Sequence, residues 1–562
     1  MLVIGTQSNH FFEATHFNAY RTMLQKIKNV KGVENILSVP AAVNLVKSDT
    51  SEKLIPTRIF SDSIDQATLD STKKYFENLI FYKRLLYNPA TNAYLAAITI
   101  NKDLLATKER VRVINEIIFI ISKYENEQNT KTYISGLALI RTQVADRIKN
   151  EMGYFLLGSV VLAAITLMLF FRSLSATLLS LLVVIIGVIW AFGFMELLGY
   201  KITLLNALIP PLIIVIGIPN CIYFFNKYHM AWNEAMSKGQ PRSSTTKQQV
   251  LITMVEKMGV VTLFCNIAAA VGFAVFALTK SPLLYEFGVV AGINIMAIFI
   301  ISLILIPTVL SYLPVPKARH TQYLNNRYLE NLLVKIEYWV LQRKKIVYSI
   351  TAIVIILSII GIFKLKSVGY IVDDLPKSDK IYTDLKWFEK NFGGVMPLEI
   401  VIDTKKKNGV TSNLKTIEKI DELTGYIVTH PEYSKPLSII EGLKFVKQAY
   451  YDGDSTQYTA PNEFDMAFIG PYLKMKGGSN KDNTFNRLLK TFMDSTRQKT
   501  RVSINMADVG TVELPKLLDS LKTASSKIFD TSYNVQFTGG SVTYLEGSHY
   551  IINGLKESIM WA

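Results

Sequence analysis

Between Thr203 and Tyr228 the chain runs TLLNALIPPLIIVIGIPNCIYFFNKY, apolar for long enough to cross a bilayer as a helix, yet carrying three prolines. Pro210 and Pro211 fall in its first third. Pro219 withholds the amide that would bond the carbonyl of Val215, which predicts a break in the span just before Asn220. Two readings stay open. The break is a transport element, since freed backbone groups near mid-membrane hold substrates or coupling ions, or it is a kink relieved by a neighbouring Ser, Thr or water.

This span is one of six. Apolar runs at Gly153–Phe171, Leu174–Leu198, Thr203–Phe224, Val260–Leu278, Leu283–Tyr312 and Ile346–Phe363 explain a mean hydropathy of +0.24, too apolar for a soluble chain of 562 residues. The turn at Arg172 and the stretches Lys227–Lys257 and Pro314–Lys345 alternate with nearly neutral loops that offer only Lys201 and Lys280. The three basic stretches hold thirteen Lys and Arg against four acids, which puts them on the cytoplasmic side. Nine of the sixteen net positive charges are thereby topological, and no nucleic-acid partner is expected. In the last basic stretch Leu329, Leu332, Leu333, Ile336, Trp339 and Val340 recur at helical spacing, as in an amphipathic helix on the inner membrane surface or a packed cytoplasmic helix.

Both cysteines, Cys221 and Cys265, lie inside spans, so the flanking blocks are not disulfide scaffolds. The six histidines show no metal-ligand spacing, and no phosphate-binding GxxxxGK[ST] loop or nucleophile elbow is present. Neither an enzyme nor a metal or cofactor is expected, and an ion gradient is the favoured energy source.

Residues 1–152 alternate strand-like and helix-like segments: Leu2–Gly5, Phe17–Lys28, Val33–Val39, Gln66–Leu79, Tyr94–Ile100, Leu105–Tyr124 and Thr132–Ser135 read as βαβ, helix, βαβ. Residues 364–562 repeat that order. Ile400-Val401-Ile402 matches Leu2-Val3-Ile4, Leu437-Ser438 matches Leu37-Ser38, Val502-Ser503-Ile504-Asn505 matches Ile98-Thr99-Ile100-Asn101, and Phe537-Thr538-Gly539 matches Ile134-Ser135-Gly136. A repeated block before and after the spans implies a second set of spans. Six spans also place both blocks outside, although the chain starts MLVIGTQSNH without a leader, so a piece of a longer protein is expected.

The strings FRSLSATLLSLLVVIIGVIW (Phe171–Trp190), IVIGIPNCIYFFNKYH (Ile214–His229) and DDLPKSDKIYTDLKWFEKNFGGVMPLEIVID (Asp373–Asp403), with the repeat, resemble the resistance-nodulation-division (RND) superfamily and its MMPL-type exporters. The five spans after the first block are similar to a sterol-sensing domain. The resemblance implies a polytopic α-helical membrane protein with two α+β, ferredoxin-like extracytoplasmic domains. In that frame 1–152 is the first porter-like domain, 153–312 spans 2 to 6, 313–345 a cytoplasmic linker, 346–363 span 7, and 364–562 the second porter-like domain running to the start of span 8. It further implies export of a hydrophobic or lipid-like molecule, with self-association or an envelope partner open. A lipid sensor or envelope scaffold on the same fold is the alternative.

One departure stands out. Many members of the family it resembles place an acid in span 4 shortly after a glycine, for proton movement, but here Gly217-Ile218-Pro219-Asn220-Cys221 has none. Asn220 cannot titrate near neutral pH, and Glu196 and Glu286 sit near span ends. Gly217, Pro219 and Asn220 are therefore the candidate transport motif, with Asn206, Asn266 and Asn294 as supporting polar positions in the spans; Asn220 either bonds the carbonyl freed by Pro219 or pairs across to another span, with Asn266 and Asn294 as the candidates. Gly288 with Gly292, and Ala268 with Gly272, have the small-xxx-small spacing of close helix packing.

Overall fold

The computed structural model describes residues 1–562 apart from 49–52, 63, 106, 108, 204, 280, 322–326, 365–367, 371–374, 474–490 and 562, so that Lys280, Asp373 and Asp374 lie outside the described residues. The chain begins with β1 (Leu2–Gln7), α1 (Ala14–Lys28), β2 (Val33–Leu37), β3 (Val43–Ser48), β4 (Lys53–Arg58), α2 (Gln66–Asn78), β5 (Tyr87–Asn88), β6 (Ala93–Ile100), α3 (Glu109–Gln128) and β7 (Thr132–Ser135). Long helices α4 (Leu137–Phe171), α5 (Leu174–Leu197), α6 (Ile209–Ser237), α7 (Ser244–Ala274) and α8 (Pro282–Tyr312) follow, then α9 (Arg327–Gln342) and α10 (Lys344–Lys364). The remainder holds α11 (Lys380–Phe392), β8 (Met396–Asp403), α12 (Leu414–Val428), α13 (Ile439–Tyr450), β9 (Lys499–Met506), α14 (Gly510–Ile528), β10 (Asn534–Thr538) and α15 (Gly540–Trp561). Residues Met1–Val144 and Ser367–Ser548 make one compact unit, and Ala145–Lys366 with His549–Ala562 another.

In the first unit, β1, β2, β6 and β7 form an antiparallel sheet in the order β2-β6-β1-β7, with β5 pairing at the end of β6. Two crossovers, β1-α1-β2 and β6-α3-β7, put both helices against it, where Ile114, Ile117 and Ile121 of α3 meet Tyr20 and Met23 of α1 in one core. The β3–β4 hairpin is an addition that the sequence reading did not anticipate, because Pro56 interrupts the alternation of β4.

The second block builds the same sheet. The order is β10-β8-β9, and Tyr433 and Leu437 bridge Met506 and Ser503 along the free edge of β9, where β2 runs along β6. That edge is reduced to two bridges because Pro436 brings no amide to the ladder. Strands β8 and β9 alternate buried and half-buried residues, the signature of a sheet with one face on a core. The repeated strings also share register: Leu2 stands opposite Ile98, and Ile400 opposite Val502. On the other side the pairing shifts by two residues, Ile4 with Ile134 against Ile400 with Phe537, an even step that keeps the same face inward.

Both blocks turn from their last strand into the next helix on a glycine. Gly136 (φ +127°) and Gly539 (φ +111°) hold conformations open to glycine, and a Cβ on them would stand 2.6 Å from the Met1 carbonyl oxygen and 2.7 Å from that of Pro397.

The two blocks interlock within this unit. Helix α11 lies along β7, the edge strand of the first sheet: Asp384 Oδ2 accepts from the Ile134 amide (3.0 Å), and Trp387 stacks on Tyr133 with centroids 4.3 Å apart. Trp387 Nε1 donates to Gln7 Oε1 (3.1 Å), and its ring fills the space above Gly5. From α13, Phe445, Val446 and Ala449 enter the first block's core, where Phe445 stacks on Phe81. An edge strand is thus covered and a core completed by residues more than 200 positions away.

In the second unit, six helices among the described residues are long and apolar enough to cross a membrane. Ser173 Oγ caps α5 through the Ala176 amide, and Ser243 Oγ caps α7 through that of Thr246. Lys247 Nζ closes the far end of α8 by donating to the carbonyls of Ser311 (2.7 Å) and Leu313 (2.5 Å). Helix α10 is exposed along its length, and on α9 Leu332, Leu333, Ile336, Trp339 and Val340 remain 47–63% exposed, so α9 is not packed into a core.

The expected break at Pro219 is absent. Helix α6 runs unbroken from Ile209 to Ser237 with Pro219 inside it, and Pro210 and Pro211 occupy its first turn, where no amide has an intrahelical partner to lose.

Candidate functional site

The polar residues of the bundle are spaced so that one pair meets. Asn220, eleven residues into α6, and Asn266 of α7 are both buried, at 3% and 2% exposure, and face each other. Asn220 Nδ2 donates to Asn266 Oδ1 (3.1 Å) while Asn266 Nδ2 donates to Asn220 Oδ1 (2.9 Å). Asn266 Nδ2 also reaches the carbonyl of Thr262 one turn back (2.7 Å), a contact that fixes which end of that amide is nitrogen. Two primary amides satisfying one another in an apolar bundle form a neutral clamp between helices.

Asn294, the other partner considered for Asn220, stays on its own helix: Nδ2 donates to the Val290 carbonyl (2.8 Å), and its buried Oδ1 has no partner among the described residues. Asn206 lies in the turn before α6, donating to the Lys201 carbonyl and to Glu286 Oε2, each at 3.2 Å.

The clamp sits on close helix contacts. A Cβ on Gly217 would collide with Ile298 Cδ1 of α8 and lie 3.1 Å from Val184 of α5, and one on Gly187 would lie 3.0 Å from the same Ile298 carbon. The Ile298 side chain thus occupies a socket floored by two glycines, one turn before Asn220 on α6. Gly288 and Gly292 approach the end of α7 closely, a Cβ on Gly288 standing 2.7 Å from the Phe273 carbonyl. Ala268 and Gly272 are placed otherwise: both are exposed, and among the described residues nothing lies within 4 Å of a Cβ on Gly272. With Asn266 and Ala270 turned inward, positions two residues on are about 200° round the helix and face out, so the close approach falls to Ala270 and Ala274.

Beside this contact Trp190, Phe194, Ile267, Val271, Ile293 and Met296 wall an open apolar groove of about 840 Å³ floored by the small residues of α7 and α8. Sequence reasoning did not see this groove, although the small residues Ala270, Ala274 and Ala277 at helical spacing, with Gly288 and Gly292, were its signal. It also gave no weight to buried His229, nine residues past Asn220, whose ring touches Phe171, Phe225 and Tyr228.

Two comparisons bear on this architecture. The family model for MMPL proteins matches residues 1–322, which takes in the first α/β block and helices α4 to α8. A protein of Methanocaldococcus jannaschii, described only as a membrane protein, is 23% identical over 284 residues, half of this chain and 68% of that one.

Proposed function

The chain belongs to the MMPL family, and from that premise we propose that it is an RND-type transporter moving a hydrophobic or lipid-like molecule out of the cell. In this reading the basic loops face the cytoplasm of an inner membrane, and the two α/β blocks are ferredoxin-like porter domains on the extracytoplasmic side. The observation that carries it is the Asn220–Asn266 clamp, a buried polar contact joining two membrane helices, in the span where the resemblance leads one to expect an ionisable group. The apolar groove on α5, α7 and α8 suits an acyl or polycyclic cargo. Replacing Asn220 by Leu is expected to reduce export of such a cargo from cells while insertion and abundance stay at the wild-type level. Unchanged export takes the clamp out of the mechanism.

A second reading, a lipid sensor or envelope scaffold, is favoured by the same clamp: two amides bonded to each other carry no proton, so this half offers no proton coupling there. Collapse of the proton gradient separates the two. A gradient-driven exporter stops, whereas a sensor keeps its ligand occupancy.

A further inference from the structure

The two α/β blocks enclose a polar cleft of about 300 Å³ between the Ile80–Asn88 loop of the first and, from the second, the end of α11 with the Val428–Lys435 segment. Its charge is one-sided. Lys83, Arg84 and Lys390 line it, and none has a carboxylate within ion-pair distance among the described residues. The cleft's one acid, Glu389, is engaged by Lys386 at 2.6 Å and by the Asp508 amide at 3.0 Å. Lys435 ties the loop down, donating from Nζ to the carbonyls of Ile80 (2.8 Å) and Phe81 (2.9 Å). The loop then turns through Arg84 at φ +62°, a backbone conformation that a long side chain seldom adopts without cause.

A second observation adds a different chemistry. Asn391, only 5% exposed, lines the same cleft; its Nδ2 is spent on the Trp387 carbonyl (2.8 Å), and its buried Oδ1 has no partner among the described residues. Three unneutralised cations ask for an anion, and a buried acceptor asks for a hydroxyl or amine donor.

We propose that this cleft binds a phosphorylated polyol, with the phosphate held by Lys83, Arg84 and Lys390 and a hydroxyl donated to Asn391 Oδ1. The volume fits a headgroup rather than a whole lipid, so the ligand is either the exposed end of a glycerophospholipid or a free polyol phosphate. Taking it as cargo rests on the transport reading; its binding does not.

The test is calorimetric titration of the full chain in detergent with glycerol 1-phosphate, dihexanoyl phosphatidylglycerol, dihexanoyl phosphatidylcholine and glycerol. Binding of either of the first two, weakened at least tenfold in a Lys83→Gln, Lys390→Gln double variant, supports the site, and the tighter of the two identifies its source. Both lysines are exposed, so the variant keeps its fold. No binding, equal binding of phosphatidylcholine or glycerol, or indifference to the double variant overturns it. Because no gradient or export enters the measurement, failure here leaves the transport reading standing, and failed export in cells leaves this site standing.

Discussion

Asn220 and Asn266 exchange two hydrogen bonds across α6 and α7, at 3.1 and 2.9 Å, and no charge is involved. Such a contact in a membrane bundle is worth on the order of 1 kcal/mol, because the separated helices find other polar partners. A double-mutant cycle of Asn220→Leu and Asn266→Leu, read by thermal unfolding in detergent, should give a coupling of about 0.6–1.7 kcal/mol. Additive effects of the two changes would show that the amides do not depend on each other.

Gly217 makes room for Ile298. Gly217→Ala is expected to cost about 1–3 kcal/mol by overpacking, and adding Ile298→Val should recover part of it by withdrawing the Cδ1 methyl. Gly272→Ala, with open space around it, serves as the matched control and should be neutral or slightly stabilising. Equal losses at 217 and 272 would argue against the socket.

Gly136 and Gly539 stand at equivalent turns with positive φ and a carbonyl oxygen under 3 Å from any added Cβ. Gly136→Ala and Gly539→Ala should each destabilise by about 1–3 kcal/mol in chemical unfolding of the full chain. A harmless alanine at either turn would break the structural equivalence of the two blocks.

Asp384 supplies a pH dependence. Burial raises its pKa to about 6, the Ile134 amide and nearby Lys380 and Lys131 offsetting part of the cost and Glu125 adding to it. The unfolded carboxyl titrates near 4, so between about pH 4 and 6 the folded state holds the extra proton. Stability attributable to this group therefore falls as pH rises through that window, by about 3 kcal/mol, and is lowest above pH 6. Asp384→Asn keeps an acceptor for Ile134 and should flatten that part of the denaturation midpoint against pH; an identical profile in the variant would assign the slope elsewhere.

How much of this was written in the sequence depends on the length scale. The strands read at Leu2–Gly5, Val33–Val39 and Thr132–Ser135 are found at Leu2–Gln7, Val33–Leu37 and Thr132–Ser135, and the matched strings around Leu2 and Ile400 share register with β6 and β9, though not with β7 and β10. The Asn220–Asn266 contact was one of two open pairings, because helical phase alone does not say whether α7 or α8 turns its asparagine toward α6. The unbroken helix at Pro219 was missed because proline's local penalty was weighed without the packing of neighbouring helices around Gly217 and Ile298. Asp384 and Trp387 gave no local signal at all: their partners, Ile134, Tyr133 and Gln7, lie hundreds of residues upstream.

That distance sets a timetable for biosynthesis. Ile134 leaves the ribosome 250 residues ahead of Asp384, and at about 5–20 residues per second the gap is roughly 10–50 s. Throughout that interval the outer rung of the leading sheet is a bare strand available to any passing chain, while the hydrophobic helices between are still being delivered to the bilayer. A chaperone that shelters nascent strands, or a pause in translation after the last of those helices, would have its effect at this step, and slowing elongation there should raise misassembly more than slowing it anywhere in the trailing block.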